Sequence, residues 1–276
     1  MELISPSFDS QANTYDQRVG LPEEICRQIA QAVSSLVVEI FPGTSLQPDD
    51  LIVEIGAGTG MISQWLVELP ARYIGFDLSA KMLAVCRSRL CSTKNWTLVE
   101  ADGNEQWPVA NASARIIFSS RAIHHLAIDH VVNELLRVKR PDGAALILGR
   151  IQRQKHSVRE QIRKQMQQQI KHHGLCGRQG EQNQRQLMAL CCQRGGQEIE
   201  PVVVSQWKFT STPQECIDNW RKKPGLAGIN LPEKQKQLIL DDLQIWAKST
   251  FGRLDQQLES EEAYILQGIN LSPMHK

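Results

Sequence analysis

Three glycines at alternate positions, Gly56, Gly58 and Gly60, follow directly on the apolar residues Leu51, Ile52, Val53 and Ile55. A loop without Cβ atoms takes unusual dihedrals and lets a ligand touch its backbone. At the end of a buried strand and ahead of a helix, such a loop forms a nucleotide-cofactor site. The dinucleotide fingerprint needs G-x-G-x-x-G; here the spacing is G-x-G-x-G, and Met61 stands where the third glycine belongs. No Lys-Ser or Lys-Thr follows, which excludes a phosphate-cradling P-loop. Two acids complete the pattern. Asp77 closes the apolar stretch YIGFD, 17 residues after Gly60, close to the spacing of a carboxylate that binds ribose hydroxyls. Asp102 closes WTLVEAD. Helix capping or loop solvation is the alternative role for each acid; at the ends of successive strands both read as ligands. His124 and His125 follow ARIIFSS in a polar loop, and imidazole is suited to taking a proton near neutral pH. At most one of the two serves as a base, and the alternative is local packing.

The elements that must position these residues are legible from periodicity. Strands are expected at 51–55, 73–77, 96–102 and 114–120, and 140–149 gives a turn and a fifth strand. A helix is expected to start near Met61. Another follows Ser79, a suitable N-cap, with Leu83, Cys86 and Leu90 on its apolar face, and a third covers about 129–138. Residues 21–40 form a helix with Pro22 in its first turn and Glu23 and Glu24 at its positive end. Val158, Ile162, Met166 and Ile170 mark a helix packed along a narrow seam. A helix at 183–196, a strand at 200–210, helices over 212–257 broken at Pro213, Pro224 and Pro232, and a strand at 261–271 complete the chain.

The stretches VEIGAGTG, GFDLSAKML, VEADGNEQWP, IIFSSRAIHHL and LLRVKRPDGAALIL stand in this order, and in that order the chain resembles the class I S-adenosylmethionine (SAM)-dependent methyltransferases, in particular the group that includes the ubiquinone and menaquinone methyltransferases. The resemblance covers about residues 10–150. It implies an α/β Rossmann-like fold: a seven-stranded, mostly parallel sheet with helices on both faces and a helical cap, the last strand running antiparallel between the fifth and sixth. One domain is expected, with a core of 21–150, 183–210 and 261–271, a cap of 151–182 and 212–257, and an N-terminal lid of 1–20. The cofactor would be SAM and the product S-adenosylhomocysteine (SAH). Gly56, Ala57, Gly58 and Gly60 would pass under the methionine part, with Glu54 holding the loop or the amino group. Asp77 would take both ribose hydroxyls, Leu78 and Met82 would flank the adenine, and Asp102 with the Gly103 backbone would read its amino group. Ser119 and Arg121 would lie under the reacting end. Tyr15 and Arg18 of the N-terminal segment would contact cofactor or substrate, a surface tail being the alternative. The methyl group would point toward His124 and His125, the catalytic candidates.

Composition narrows the acceptor only in part. The net charge is +1, so no global field points to nucleic acid, and the N-P-P-Y-type tetrapeptide of enzymes that methylate amino groups in nucleic acids is absent. No run of 18 apolar residues suggests a membrane span, no signal peptide is read at the N-terminus, and seven scattered cysteines without a C-x-x-C pair suit a reduced, cytoplasmic protein. The vicinal Cys191 and Cys192 could hold a soft ion; the stronger reading is two small hydrophobes in an apolar helix. No metal site is expected, because the region after the fourth strand offers only Asp129. Residues 150–180 carry eight Lys or Arg against Glu160 alone. That is a solvated face or, on the sharper reading, a surface for an anionic substrate or an acyl carrier protein. Arg121 with Arg150 could steer a substrate carboxylate. The expected reaction is methyl transfer to oxygen or nitrogen of a small, partly apolar metabolite in specialised or quinone-like biosynthesis. The alternatives are carboxyl methylation of a carrier-bound acyl group and a SAM-binding protein that does not methylate.

Overall fold

In the computed structural model, which describes residues 8–90, 95–175, 180–223, 225–226 and 229–274, the first strand is β1 (Leu51–Ile55), with all five residues buried. It pairs in parallel with β2 (Arg72–Asp77) on one side and β4 (Ile116–Ser120) on the other. β3 (Trp96–Glu100) pairs in parallel with β2, and β5 (Ala145–Arg153) with β4. With β6 (Gln197–Ser211) and β9 (Leu258–Asn270) the order is β3-β2-β1-β4-β5-β9-β6. The seven-stranded, mostly parallel Rossmann-like sheet is therefore present, and β9 lies between the fifth and sixth strands.

Strands buried on both faces need apolar residues at both parities. Val53, Ile55, Ile117, Leu146 and Leu148 join one cluster with Val131, Val132, Leu135 and Val138 of α5 (Ile128–Val138) and Leu187, Met188 and Cys191 of α7 (Gly180–Gln193). Ile52, Ile116, Phe118 and Ile147 alternate with these along the strands and are equally inaccessible. Helix α2 (Glu23–Ile40) buries Ile25, Ile29, Val33 and Leu36 at helical spacing. Helix α4 (Ala80–Arg89) starts at Ser79, whose Oγ accepts the Met82 N–H at 3.2 Å, and buries Leu83 and Cys86.

The described residues fall into two compact units. The larger comprises 8–150, 180–205 and 264–274. The smaller comprises 151–175 and the described part of 206–263. In the smaller unit α6 (Val158–His172) buries the expected stripe of Val158, Ile162, Met166 and Ile170 against Ile217 of α8 (Pro213–Arg221) and Ile239, Leu240 and Leu243 of α9 (Glu233–Phe251).

Several boundaries differ from expectation, the following four among them. The helix after the glycine loop, α3 (Ser63–Leu66), begins past Met61 and lasts one turn. Tight bonds from Glu68 N–H to Trp65 and from Leu69 N–H to Leu66 end it ahead of Pro70, which has no N–H to continue a helix. The third strand stops at Glu100, leaving Asp102 in the following turn. The fifth strand runs on to Arg153 instead of ending at Gly149. Within 212–257 a short hairpin, β7 (Gly225–Leu226) with β8 (Ile229–Asn230), separates α8 and α9.

Candidate active site

The strand order reverses between β1 and β4, and ligands of open α/β sheets bind beyond the carboxyl ends of strands at such a point. The glycine loop leaves β1 there. All three glycines adopt left-handed φ, +73° at Gly56, +56° at Gly58 and +80° at Gly60. Space separates their duties. A Cβ on Gly56 would stand 2.3 Å from the Ala122 Cβ, and one on Gly60 would stand 2.7 Å from the Cys86 Sγ. Both are packing positions. A Cβ on Gly58 would meet nothing closer than the Gly56 carbonyl at 4.0 Å, so this glycine faces open space. The Gly56 and Ala57 N–H groups donate to the Phe76 carbonyl, tying the loop to β2.

Asp77 sits beside this opening. Its Oδ2 accepts the Gly58 N–H and its Oδ1 the Ser79 N–H, each at 2.9 Å. Burial pushes its carboxyl up, opposed by the backbone bonds from Ser79, Gly58 and Leu78, and Asp9 adds to the rise. It is a desolvated carboxylate with no ion-pair partner among the described residues, and its backbone bonds leave acceptor capacity for a hydroxyl. Glu54 is fully buried on β1. Its Oε2 accepts from Ser63 Oγ at 2.7 Å and from the Tyr73 hydroxyl at 2.5 Å, while burial pushes its pKa up to about 7. Glu54 thus joins β1, β2 and the first turn of α3.

The N-terminal segment is fastened over these loops. It forms a 3-10 turn (Asp9–Thr14) and α1 (Tyr15–Val19). Asp9 accepts from Ser79 Oγ at 2.5 Å. Asp16 accepts from Thr59 Oγ1, inside the glycine loop, at 2.5 Å and pairs with Arg89 of α4. Phe8 meets His125 edge-on at 5.2 Å, and Tyr15 lies 5.5 Å from the Arg121 guanidinium.

Beyond β4 the chain turns through Arg121, a non-glycine residue at φ +64°. Ser119 is buried and donates to the Ile55 carbonyl at 3.0 Å. Ser120 meets the Tyr264 hydroxyl at 2.6 Å, and that phenol lies over Gly149, where a Cβ would come within 2.1 Å of it. Burial raises the Tyr264 hydroxyl well above its usual range. A cleft open to solvent, with about 250 Å³ of empty space, is lined by Ser119, Arg121, Ile123, His124, Leu148, Gly149 and Gln184. His124 and His125 share a 3-10 turn with ring centroids 3.9 Å apart; only His124 lines the cleft.

The structure thus gathers Gly56, Ala57, Gly58, Gly60, Asp77, Ser119, Arg121, Tyr15 and the histidines around one sheet edge. Leu78 stands 49% exposed on the loop after Asp77. Met82 is only 2% exposed and packs within the α4 core, so little of it faces a ligand. Asp102 Oδ1 is engaged by the N–H and the side-chain amide of Asn104, a local turn. Gly103 packs under Leu126, and its carbonyl accepts the Trp107 Nε1–H at 3.0 Å. The side chain of Arg18, and Cys91, Cys176 and Arg178, lie outside the described residues. Tyr73, Tyr264, Asp9 and Asp16 were not foreseen as parts of the site. Cys26, Cys86 and Cys191 are buried thiols pushed up to about 12 by burial. Cys191 joins the core as expected, whereas its neighbour Cys192 is exposed. Four of the eight cations of the basic segment have carboxylate partners. Arg153 and Arg159 both pair with the buried Glu262, and Arg163 and Lys164 with Glu160. Among the described residues no group of three or more His, Cys, Asp or Glu is placed to hold a metal, and no helix is long and apolar enough to cross a membrane.

Comparison with known proteins agrees with this geometry. Residues 52–143 match the family model described as a methyltransferase domain. A biotin biosynthesis bifunctional protein, BioHC, of Cellvibrio japonicus is 31% identical over 146 residues, 52% of this chain and 26% of that protein. A malonyl-[acyl-carrier protein] O-methyltransferase of Legionella pneumophila is 28% identical over 146 residues, 52% of this chain and 48% of that protein. The match thus spans about half or less of the length of these curated relatives. Among solved structures, a Bacillus halodurans C-125 protein presumed to be a methyltransferase superposes with a TM-score of 0.52 at 14% identity, over 86% of this chain and 99% of that one. The YcgJ protein of Bacillus subtilis gives 0.50 at 19% identity, over 87% and 97%. The fold is that of the class I methyltransferases, proteins that use SAM. Within that fold, residues 52–143 are the part that matches the methyltransferase-domain model.

Proposed function

We propose that this chain is a SAM-dependent enzyme that transfers a methyl group to oxygen or nitrogen of a small, partly apolar metabolite. The observation that carries the reading is the pairing of an open glycine, Gly58, with the desolvated Asp77 carboxylate 2.9 Å from its N–H, at the switch point of the sheet. These residues fit the cofactor. The space a Cβ would fill at Gly58 admits a close ligand, and Asp77 has lone pairs for a ribose diol. When bound, SAM supplies an electrophilic methyl carbon for in-line displacement.

The chain's own residues orient and dehydrate. Gly56, Ala57, Gly58 and Gly60 present backbone under the methionine part; Asp77 accepts the ribose hydroxyls; Leu78 covers one face of the adenine. Asp102 and the Gly103 backbone serve the adenine edge. Ser119 is fixed by its bond to the Ile55 carbonyl and keeps the floor of the cleft rigid. Where the acceptor arrives as O–H or N–H, a ring nitrogen of His124 takes its proton, as the cleft-lining member of the pair. The N-terminal segment closes over the loops through Asp9, Asp16 and Tyr15 and excludes water.

The test is purified protein with methyl-labelled SAM and a desalted extract split into small-molecule and macromolecular fractions. Label among small molecules supports the reading. Label only in protein or RNA refutes it, and so does failure to bind SAM in calorimetry. A second reading, carboxyl methylation of a carrier-bound acyl group, is favoured by the names of two curated relatives, both malonyl-[acyl-carrier protein] O-methyltransferases. It predicts that label appears on the carrier protein fraction and that rising ionic strength raises KM steeply.

A further inference from the structure

We infer that Arg121 is the receptor for a ligand carboxylate in this cleft, an assignment that rests on the methyl-transfer reading and extends it. Four independent observations converge on the residue. Its backbone is left-handed, at φ +64°, which strains any residue with a Cβ and persists where the surroundings or a function demand it. Asn or Gly would occupy that position with less strain, yet the chain carries arginine. No carboxylate among the described residues pairs with its guanidinium, in contrast to Arg89, Arg115, Arg137 and Arg140 of the same unit. Its Nε is buried and has no hydrogen-bond partner. The cleft it lines contains no acid, so the lining offers no negative charge to compete for the cation.

The chemistry that satisfies such a group is planar and anionic. A guanidinium presents donors in a fixed fork that matches the two oxygens of a carboxylate, and a desolvated pair of this kind is among the stronger hydrogen bonds. The Tyr15 ring, 5.5 Å from the guanidinium, holds the cation by its π-face while leaving the in-plane donors for the ligand. Two ligands of a methyl transfer can carry the carboxylate. One is the methionine end of the cofactor: Arg121 precedes Ala122, whose Cβ fills the space over Gly56 of the glycine loop. The other is an acceptor with an acid group.

R121N tests the assignment, because asparagine tolerates left-handed φ and keeps the fold. Calorimetry on wild type and R121N would compare SAM with decarboxylated SAM, which lacks only the methionine carboxylate. A second arm would titrate malonate, a plain dicarboxylate, into the SAH complex of each protein. If Arg121 holds the cofactor carboxylate, R121N weakens SAM roughly 10- to 100-fold and leaves decarboxylated SAM unchanged. If it holds the acceptor, SAM binding is unaltered and malonate binding disappears in R121N. In both cases the Tm of R121N equals or exceeds that of wild type, which a structural arginine would not allow. R121N matching wild type in both arms overturns the assignment alone. Wild type that binds neither SAM nor SAH overturns the methyl-transfer reading and the assignment with it.

Discussion

The glycine loop allows strain, overlap and ligand contact to be separated by substitution. Gly43, Gly56 and Gly58 share left-handed φ, at +79°, +73° and +56°. An alanine at Gly43 would meet nothing within 4 Å, so G43A bears only the left-handed penalty, about 1–2 kcal/mol. An alanine at Gly56 bears the same penalty and drives its Cβ to 2.3 Å from that of Ala122. Overpacking of that kind costs about 1–3 kcal/mol, for a total of about 2–5 kcal/mol. Removing the second methyl in G56A/A122G should recover the overlap and leave a loss like that of G43A. Urea midpoints with the m-value held constant measure each corner of the cycle. G58A is the third arm: its stability should match G43A, because its Cβ points into space, while SAM affinity falls. Equal stability of G56A and G43A, or a coupling below about 0.5 kcal/mol between positions 56 and 122, refutes the packing argument. Unchanged SAM affinity in G58A refutes the ligand argument.

Glu54 has a folded pKa of about 7 against an ordinary 4.5, so the folded state keeps a proton that the unfolded chain releases. Its contribution is full below about pH 4.5, declines as pH rises to about 7 and is flat above; the span is about 3 kcal/mol, and E54Q should flatten that part of a urea-midpoint profile against pH. D16N should release Thr59 and Arg89 from the N-terminal segment. The part-exposed ion pair makes the stability loss about 1 kcal/mol or less, but stopped-flow displacement should show faster SAM release. For a protonated acceptor, H124A should lower kcat about 100-fold and H125A far less. Intact turnover in both variants would remove the base from the mechanism.

Much of this was legible in the sequence because it is local. The apolar run 51–55, the alternate glycines, the Ser79 cap and the acid at the end of β2 are contiguous, and each dictates its own conformation. The stripe of α6 was legible for the same reason: a 3.6-residue period shows which face is buried whatever covers it. What escaped depends on partners far along the chain. Glu262 neutralises Arg153 and Arg159 across a separation of more than 100 residues, so a run that reads as free basic charge is partly consumed. Asp9 and Asp16 look like tail residues until Ser79, Thr59 and Arg89 are brought beneath them. Asp102 shows the other direction: its neighbour Asn104 donates to Oδ1 through both its backbone N–H and its side-chain amide, a local bond that the strand-end pattern does not reveal.

The phenol of Tyr264 lies over a residue that has no side chain, and this links the histories of two positions on different strands. Gly149 can drift to alanine only in a lineage where position 264 has already lost its aromatic ring, since a Cβ there would sit 2.1 Å from the hydroxyl oxygen and 2.8 Å from the ring carbon that bears it. Once alanine is fixed, tyrosine cannot return. The order of substitutions is therefore constrained, and Ser120, which shares the hydroxyl, is freed to change only after the first step is taken.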